Sequence, residues 1–123
     1  MKVLIIGGNG QLGKSLCNTK PENLDLISYS KEEFNLLDID NCLTKIEKVK
    51  PNYVINAAAY TAVDKAETET ELVEVVNAKN PYKIANTLDK LGGKFIQIST
   101  DFVFNGLKSS PYQTNDELLP LNE

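Results

Sequence analysis

Val3-Leu4-Ile5-Ile6-Gly7-Gly8-Asn9-Gly10-Gln11-Leu12-Gly13 decides the fold of this 123-residue chain. Its first four residues are apolar without a break, and three of them are β-branched. That is the pattern of a short strand buried on both faces. Glycines then stand at 7, 10 and 13, and Gln11 to about Thr19 carries Leu12, Leu16 and Cys17 at helical spacing. The order is strand, glycine loop, helix. Gly7 permits the tight turn, Gly10 lets a backbone approach a pyrophosphate, and Gly13 lets helix and sheet pack closely. The first turn of the helix aims free N–H groups and its positive dipole end at the loop. A plain glycine-rich turn has similar spacing. The position between strand and helix is what favours a phosphate site.

Working outward, the two patterns keep alternating. Leu24–Ser30 alternates apolar and polar, as an edge or flanking strand does. Asp38 or Asp40 can cap a helix with Ile39, Cys42, Leu43, Ile46 and Val49 on one face, ended by Pro51-Asn52. Tyr53-Val54-Ile55 reads as a third strand and about Asp64–Asn77 as an acidic helix. Asn80-Pro81 starts another, with Asn as N-cap, an apolar stripe of Ile84, Ala85, Leu88 and Leu91, and Gly92-Gly93 as its stop. Lys94–Ser99 is a fourth strand, and from Asn105 onward the chain is polar and turn-rich. No internal repeat or linker stands out.

Such alternation predicts an α/β fold: a Rossmann-like three-layer αβα arrangement with a mostly parallel sheet. The expected strand order is 3-2-1-4. A doubly wound sheet usually has about six strands, and this sequence supplies four. Residues 1–123 therefore read as one NAD(P)-binding domain, incomplete at its C-terminal side.

Composition narrows the function. Hydrophobic residues make up 41% and charged residues 24%, which excludes disordered and low-complexity classes. Thirteen cations against seventeen anions leave a net charge of −4, which argues against a nucleic-acid partner. No apolar run approaches the ~20 residues of a bilayer span. The N-terminal apolar run stops at Gly7, too short for a signal peptide, so the expected address is the cytoplasm. Cys17 and Cys42 read as reduced, mostly buried thiols. The chain has no histidine. Imidazole bases and His-ligated metals are excluded, and no metal site is expected.

Further candidates sit where strands end. Ser28-Tyr29-Ser30-Lys31 closes the second strand, and no carboxylate appears before Glu32. An acidic residue there would select NAD through the ribose hydroxyls. Ser30 and Lys31 instead suit a 2′-phosphate, so NADPH is the expected cofactor, with NADH open. Asp38 can accept from an adenine amino group as well as cap a helix. The small residues of Asn56-Ala57-Ala58-Ala59-Tyr60-Thr61 let a ligand lie against the backbone. Asp64 and Glu67 suit a helix's first turn and need no further role. Ser99-Thr100-Asp101 follows the fourth strand, where a hydroxyl could meet a substrate carbonyl and Asp101 could relay a proton.

Together these segments resemble the dTDP-4-dehydrorhamnose reductases of the extended short-chain dehydrogenase/reductase superfamily. The resemblance is carried by Gly7–Gly13, Leu36-Leu37-Asp38-Ile39, Val54–Glu67, Val76-Asn77, Ile98–Gly106, Pro111-Tyr112 and Pro120-Leu121-Asn122. It implies NADPH-dependent reduction of dTDP-4-dehydro-L-rhamnose at C4. It implies that Thr100 contacts the substrate carbonyl with Asp101 beside it. Gly7, Gly10, Gln11, Leu12, Asp38, Ala57, Ala58, Ala59 and Thr61 would line the cofactor. Phe102 stands where the family usually has Tyr, and the dTDP-glucose dehydratases place Glu there.

The family's proton donor is a Tyr in a Tyr-x-x-x-Lys helix that follows a Pro-x-Asn-x turn. Pro120-Leu121-Asn122-Glu123 is similar to that turn, and the Tyr would come next. The expectation is a chain that binds cofactor without turnover. The alternative is a non-catalytic NAD(P)-binding or regulatory module, and a third reading is an unstable remnant. Expected partners are NAD(P)H and, in the full-length family, a dTDP-sugar, with a homodimer open and neither nucleic acid nor membrane.

Overall fold

A computed structural model describes residues 1–121. Asn122 and Glu123, half of the expected turn, lie outside the described residues. The strands are β1 (Lys2–Ile6), β2 (Asp25–Tyr29), β3 (Tyr53–Asn56) and β4 (Lys94–Gln97). The helices are α1 (Gln11–Asn18), α2 (Ile39–Val49), α3 (Val63–Ala66), α4 (Thr70–Glu74) and α5 (Asn80–Lys90). A π-helical turn, Val75–Lys79, joins α4 to α5, and a 3-10 turn, Asp101–Val103, follows β4.

The four strands form one sheet in which every pairing is parallel. Its order is β2-β1-β3-β4, which corrects the expected 3-2-1-4. β1 is buried from Val3 to Ile6 and takes an interior place between β2 and β3. β2, with exposed Asp25 and Ser28, lies at the edge. The chain leaving β2 therefore crosses over β1 through α2 and joins the sheet on the far side. The consequence for the site is large. Successive connections leave β1 and β3 in opposite directions, and the crevice at such a switch point, outside the carboxyl ends of the strands, is where ligands bind in open α/β sheets.

One face of the sheet is well covered. Leu4, Ile6 and Val54 pack with Cys42 and Ile46 of α2 and with Ile84 and Leu88 of α5, each at most 1% exposed. Phe34 and Leu36, between β2 and α2, join the same core, and Phe34 stacks on Tyr29 with ring centroids 5.7 Å apart. The opposite face is covered only in part. α1 runs over the β1–β2 half, and Val3 and Ile5 are buried there. On the β3–β4 half Tyr53, Ile96 and Ile98 are 36%, 43% and 40% exposed.

Asp38 caps α2 as expected, accepting from the Asn41 N–H at 3.3 Å. Gly92, at φ +76°, ends α5 as expected. The Gly93 N–H reaches Leu88 O and the Gly92 N–H reaches Asp89 O, the paired bonds of a Schellman stop. The region between is corrected twice. The expected acidic helix is two short helices, α3 and α4, with a break near Glu67–Glu69. Asn80 does not cap a new helix, because its backbone is helical and continuous with the π turn. Its side chain instead donates to Leu36 O at 2.6 Å in the core. The Asn80 N–H bonds to Val75 O, five residues back. The ladder thus changes register just before Pro81, which has no N–H to give.

The two cysteines are both free, Cys17 half-buried and Cys42 buried. Desolvation, with the nearby Asp38 charge second, pushes the Cys42 thiol up to about 11. Its unfolded counterpart ionises first, so this group's effect on stability is nil below pH 9 and turns against the fold as pH climbs toward 11. Iodoacetamide at pH 8 is expected to label Cys17 and spare Cys42 until denaturant is added. Mass spectrometry of the labelled peptides checks this, and equal labelling in the native chain would contradict the burial.

Candidate functional site

At Gly7 and Gly13 the glycine loop is shaped by backbone contacts that leave no room for side chains. Gly7 has φ +85°, and a Cβ there would stand 2.9 Å from Ala58 N and 3.0 Å from Ala57 C and O. A Cβ at Gly13 would stand 2.3 Å from Gly7 O and 2.7 Å from Gly8 Cα. Gly13 thus packs α1 against the loop's own backbone. The N–H groups of Gly7 and Gly8 both donate to Tyr29 O at the end of β2, at 3.1 and 2.8 Å. Gly8, which sequence reasoning passed over, is constrained less rigidly: a Cβ there would fall 1.8 Å from Ser28 Oγ, a side-chain tip that can turn away, and 3.3 Å from Tyr29 O. Gly10 differs. Its φ is an ordinary −72°, and a Cβ would meet only Gly7 O, at 3.2 Å. Among the described residues nothing makes position 10 require glycine as strongly as Gly7 and Gly13 do. It is the N-cap of α1 and gives no side-chain cap, and the first turn holds no acid. The first-turn N–H groups are left for a ligand.

Two clefts meet over the carboxyl ends of β1 and β3. One, of about 790 Å³, is lined by Gly7, Asn9, Gly10, Gln11 and Leu12, by Lys31 and Phe34–Leu37, and by Ala57–Ala62 across the switch point. The second, of about 640 Å³, is lined by Leu12, Asn56–Thr61, Asn77, Gln97–Thr100, Phe102 and Pro120 among others. Leu12 and Ala57–Thr61 belong to both. Each volume falls in the range of small-molecule sites. Together they make a groove that runs from the end of β2, across the glycine loop, to the end of β4.

Most candidate residues converge on this groove. Gly7, Gly10, Gln11, Leu12, Lys31, Ala57, Ala58, Ala59 and Thr61 line the first cleft, and Thr100 lines the second. Gly13 sits behind the loop. Ser30, Asp38 and Asp101 are not on the lining. Ser30 is buried, its Oγ accepts from the Glu33 N–H at 3.3 Å, and its own N–H donates to Glu33 Oε2 at 2.9 Å. This is a reciprocal capping box over Ser30-x-x-Glu33, a spacing visible in the sequence and not weighed there. The Lys31 side chain is the one charged group on the first cleft among the described residues. Phe34 and Asn35 of the first cleft were also missed.

At the far end, Thr100 caps the 3-10 turn, its Oγ1 accepting from the Phe102 N–H at 3.3 Å and donating to Asp101 Oδ1 at 3.2 Å. Tyr60 lines both clefts, and its hydroxyl donates to Glu69 Oε2 at 2.5 Å. That bond, with burial second, lifts the phenol above its ordinary pKa. Among the described residues no histidine, cysteine or carboxylate group gathers as a metal site, and no helix is long and apolar enough to cross a membrane.

A comparison with known families finds one that covers residues 1–123 in full, described as RmlD substrate binding domain. The chain belongs to this RmlD family. The dTDP-4-dehydrorhamnose reductase of Burkholderia thailandensis is 38% identical over 99% of the chain and 41% of its own length. The spore coat polysaccharide biosynthesis protein SpsK of Bacillus subtilis is 35% identical over 97% of the chain and 42% of its own length. The chain thus spans about 41–42% of the curated RmlD relatives it matches. Among solved structures, the reductase of Clostridium acetobutylicum superposes with a TM-score of 0.93 at 36% identity, covering 99% of the chain and 44% of that one. The Bacillus anthracis reductase, solved in complex with NADP, gives 0.91 at 35%, covering 98% and 43%. A UDP-glucose 4-epimerase from Thermus thermophilus gives 0.81 at 19% identity, which extends the fold but not the chemistry.

Proposed function

We propose that residues 1–123 form the NAD(P)-binding domain of a dTDP-4-dehydrorhamnose reductase, which takes dTDP-4-dehydro-L-rhamnose to dTDP-L-rhamnose in the cytoplasm. The observation that carries this reading is position 10. Glycine there is weakly demanded by the chain itself, yet it stands at the uncapped start of α1 on the groove. A pyrophosphate approaching those N–H groups supplies the missing reason. The groove continues past Ala57–Thr61 to Thr100, as an elongated dinucleotide requires. The NADP complex of the Bacillus anthracis relative supports the same cofactor.

In this reading the bound cofactor supplies hydride. The glycine loop and α1 hold the pyrophosphate, and the wall at Ala57–Ala59 lets the cofactor lie against the backbone. Asp38, beyond the lining, would reach the adenine amino group only at the groove's outer end. The Thr100 hydroxyl, now given to Asp101, can turn its proton to a substrate carbonyl while still accepting from the Phe102 N–H. Asp101 accepts that proton while no carbonyl is present, and stands beside the hydroxyl once the proton turns away. The phenol that the described cleft does offer, Tyr60, is committed to Glu69. That commitment favours a 123-residue chain that acts by itself as a binding module. NADPH is expected to bind it, and nucleotide-sugar-dependent NADPH oxidation is not. Sustained oxidation by the chain alone would overturn this.

Selection for NADPH over NADH falls to Lys31, since Ser30 is engaged with Glu33. An exposed cation on a phosphate contributes about 1 kcal/mol, so Lys31→Ala is expected to weaken NADPH about fivefold and leave NADH unchanged. Fluorescence titration with each cofactor checks this. An equal loss for both would remove Lys31 from the 2′-phosphate.

A further inference from the structure

The wall shared by the two clefts, Ala57–Thr61, has no regular secondary structure. Its shape is set by what its backbone groups bond to. The Ala57 N–H donates to Ile6 O at 3.0 Å and Thr61 O accepts from the Val63 N–H at 3.0 Å, and two asparagines from outside the wall bond the backbone between them. At the near end Asn56, fully buried, accepts from the Ala58 N–H at 3.2 Å and donates to Gln97 Oε1 at 2.9 Å. At the far end Asn77 grips both backbone groups of one residue. The Tyr60 N–H donates to Asn77 Oδ1 at 2.8 Å, and Asn77 Nδ2 donates to Tyr60 O at 3.1 Å. Asn77 is itself exposed and on the groove, so core packing does not explain its placement. It lies in the π turn Val75–Lys79, where an extra residue in the ladder re-aims side chains by about 100° relative to an unbroken α-helix.

We propose that Asn77 is a positioning residue of the groove: the π turn presents its carboxamide to the Tyr60 backbone, fixing the wall against which the dinucleotide lies. This rests on the dinucleotide reading above and adds a residue whose contribution runs through the Tyr60 backbone. Asn77 acts through Tyr60. Its loss leaves the Tyr60 N–H and carbonyl to water and frees the wall to move between the two clefts.

The test is NADPH titration of the 123-residue chain as wild type, Asn77→Ala, Asn77→Asp and Gly10→Asp. The unfolding midpoint and the Tyr60 amide exchange rate are measured for each. Two lost hydrogen bonds predict about tenfold weaker NADPH binding in Asn77→Ala, with faster exchange at Tyr60 and a nearly unchanged midpoint. Asn77→Asp keeps the acceptor and loses the donor, so its affinity and exchange rate are expected to fall in between. That graded rescue is not the signature of a general loss of stability. If Asn77→Ala fails to fold, Asn77→Asp carries the test. Wild-type affinity in the Asn77 variants, with binding lost in Gly10→Asp, overturns the positioning role and leaves the dinucleotide reading intact. A wild-type chain that takes no NADPH, or a Gly10→Asp variant that binds it normally, overturns both.

Discussion

Gly10→Asp is expected to abolish NADPH binding while leaving the fold intact or slightly more stable. The two effects separate because of where the residue stands. Gly10 is the N-cap of α1 with ordinary backbone angles, and its added Cβ would meet one carbonyl oxygen at 3.2 Å. Aspartate is among the preferred N-cap residues and complements the dipole, a gain of a few tenths of a kcal/mol over glycine. The same carboxylate would occupy the N–H groups offered to a pyrophosphate and set like charges against each other. A loss of about 100-fold or more in affinity, about 2.7 kcal/mol, is the expected scale. Fluorescence titration alongside thermal unfolding measures both sides. Normal binding would place the cofactor elsewhere.

Gly13→Ala should do the reverse and damage the fold first. Its Cβ would lie 2.3 Å from Gly7 O and 2.7 Å from Gly8 Cα, both backbone atoms of a loop already pinned to Tyr29 O. No flexible side chain can yield, so α1 must move off the loop. Overpacking of this kind costs about 3 kcal/mol. Against a total stability of roughly 5–15 kcal/mol that is a large share. A fall of about 10 °C in the unfolding midpoint is the expected reading. A fall of only a degree or two would mean that the helix and loop slide apart freely.

The contrast between positions 10 and 13 marks how far the sequence could be read. The strand–loop–helix opening was legible because Val3–Ile6 is continuously apolar and the glycines interrupt it at once. The α2 stripe and its Asp38 cap were legible for the same reason, since periodicity and capping are local. The strand order was not. Whether β3 pairs with β2 or with β1 depends on which way the crossover through α2 turns, and no residue in β3 encodes that. The helix from α4 to α5 was misread at Asn80-Pro81, where a sound local start signal was overridden. The Asn80 side chain is bonded across 44 residues to Leu36 O, and the π turn absorbs the proline.

At the site, small residues after β3 flagged the wall, yet nothing in the sequence marked Asn56 and Asn77 as the groups holding it. Those bonds join positions made neighbours only by the fold. Ser30 illustrates the opposite case. A hydroxyl at the right place was read as free for a ligand, although the Ser30-x-x-Glu33 spacing that commits it was present all along.

The partly exposed face of the β3–β4 half of the sheet bears on how the chain behaves in a tube. Tyr53, Ile96 and Ile98 present a row of apolar side chains to solvent. Strongly salting-out anions such as sulfate raise the free energy of wet hydrocarbon and favour its removal from water. Ammonium sulfate should therefore bring this chain out of solution early. Dilute buffer near pH 8, well above the isoelectric point of about 4.9, keeps like-charged copies apart. Light scattering across a sulfate series, compared with Ile96→Lys, would show how much of that turbidity begins on this one ridge.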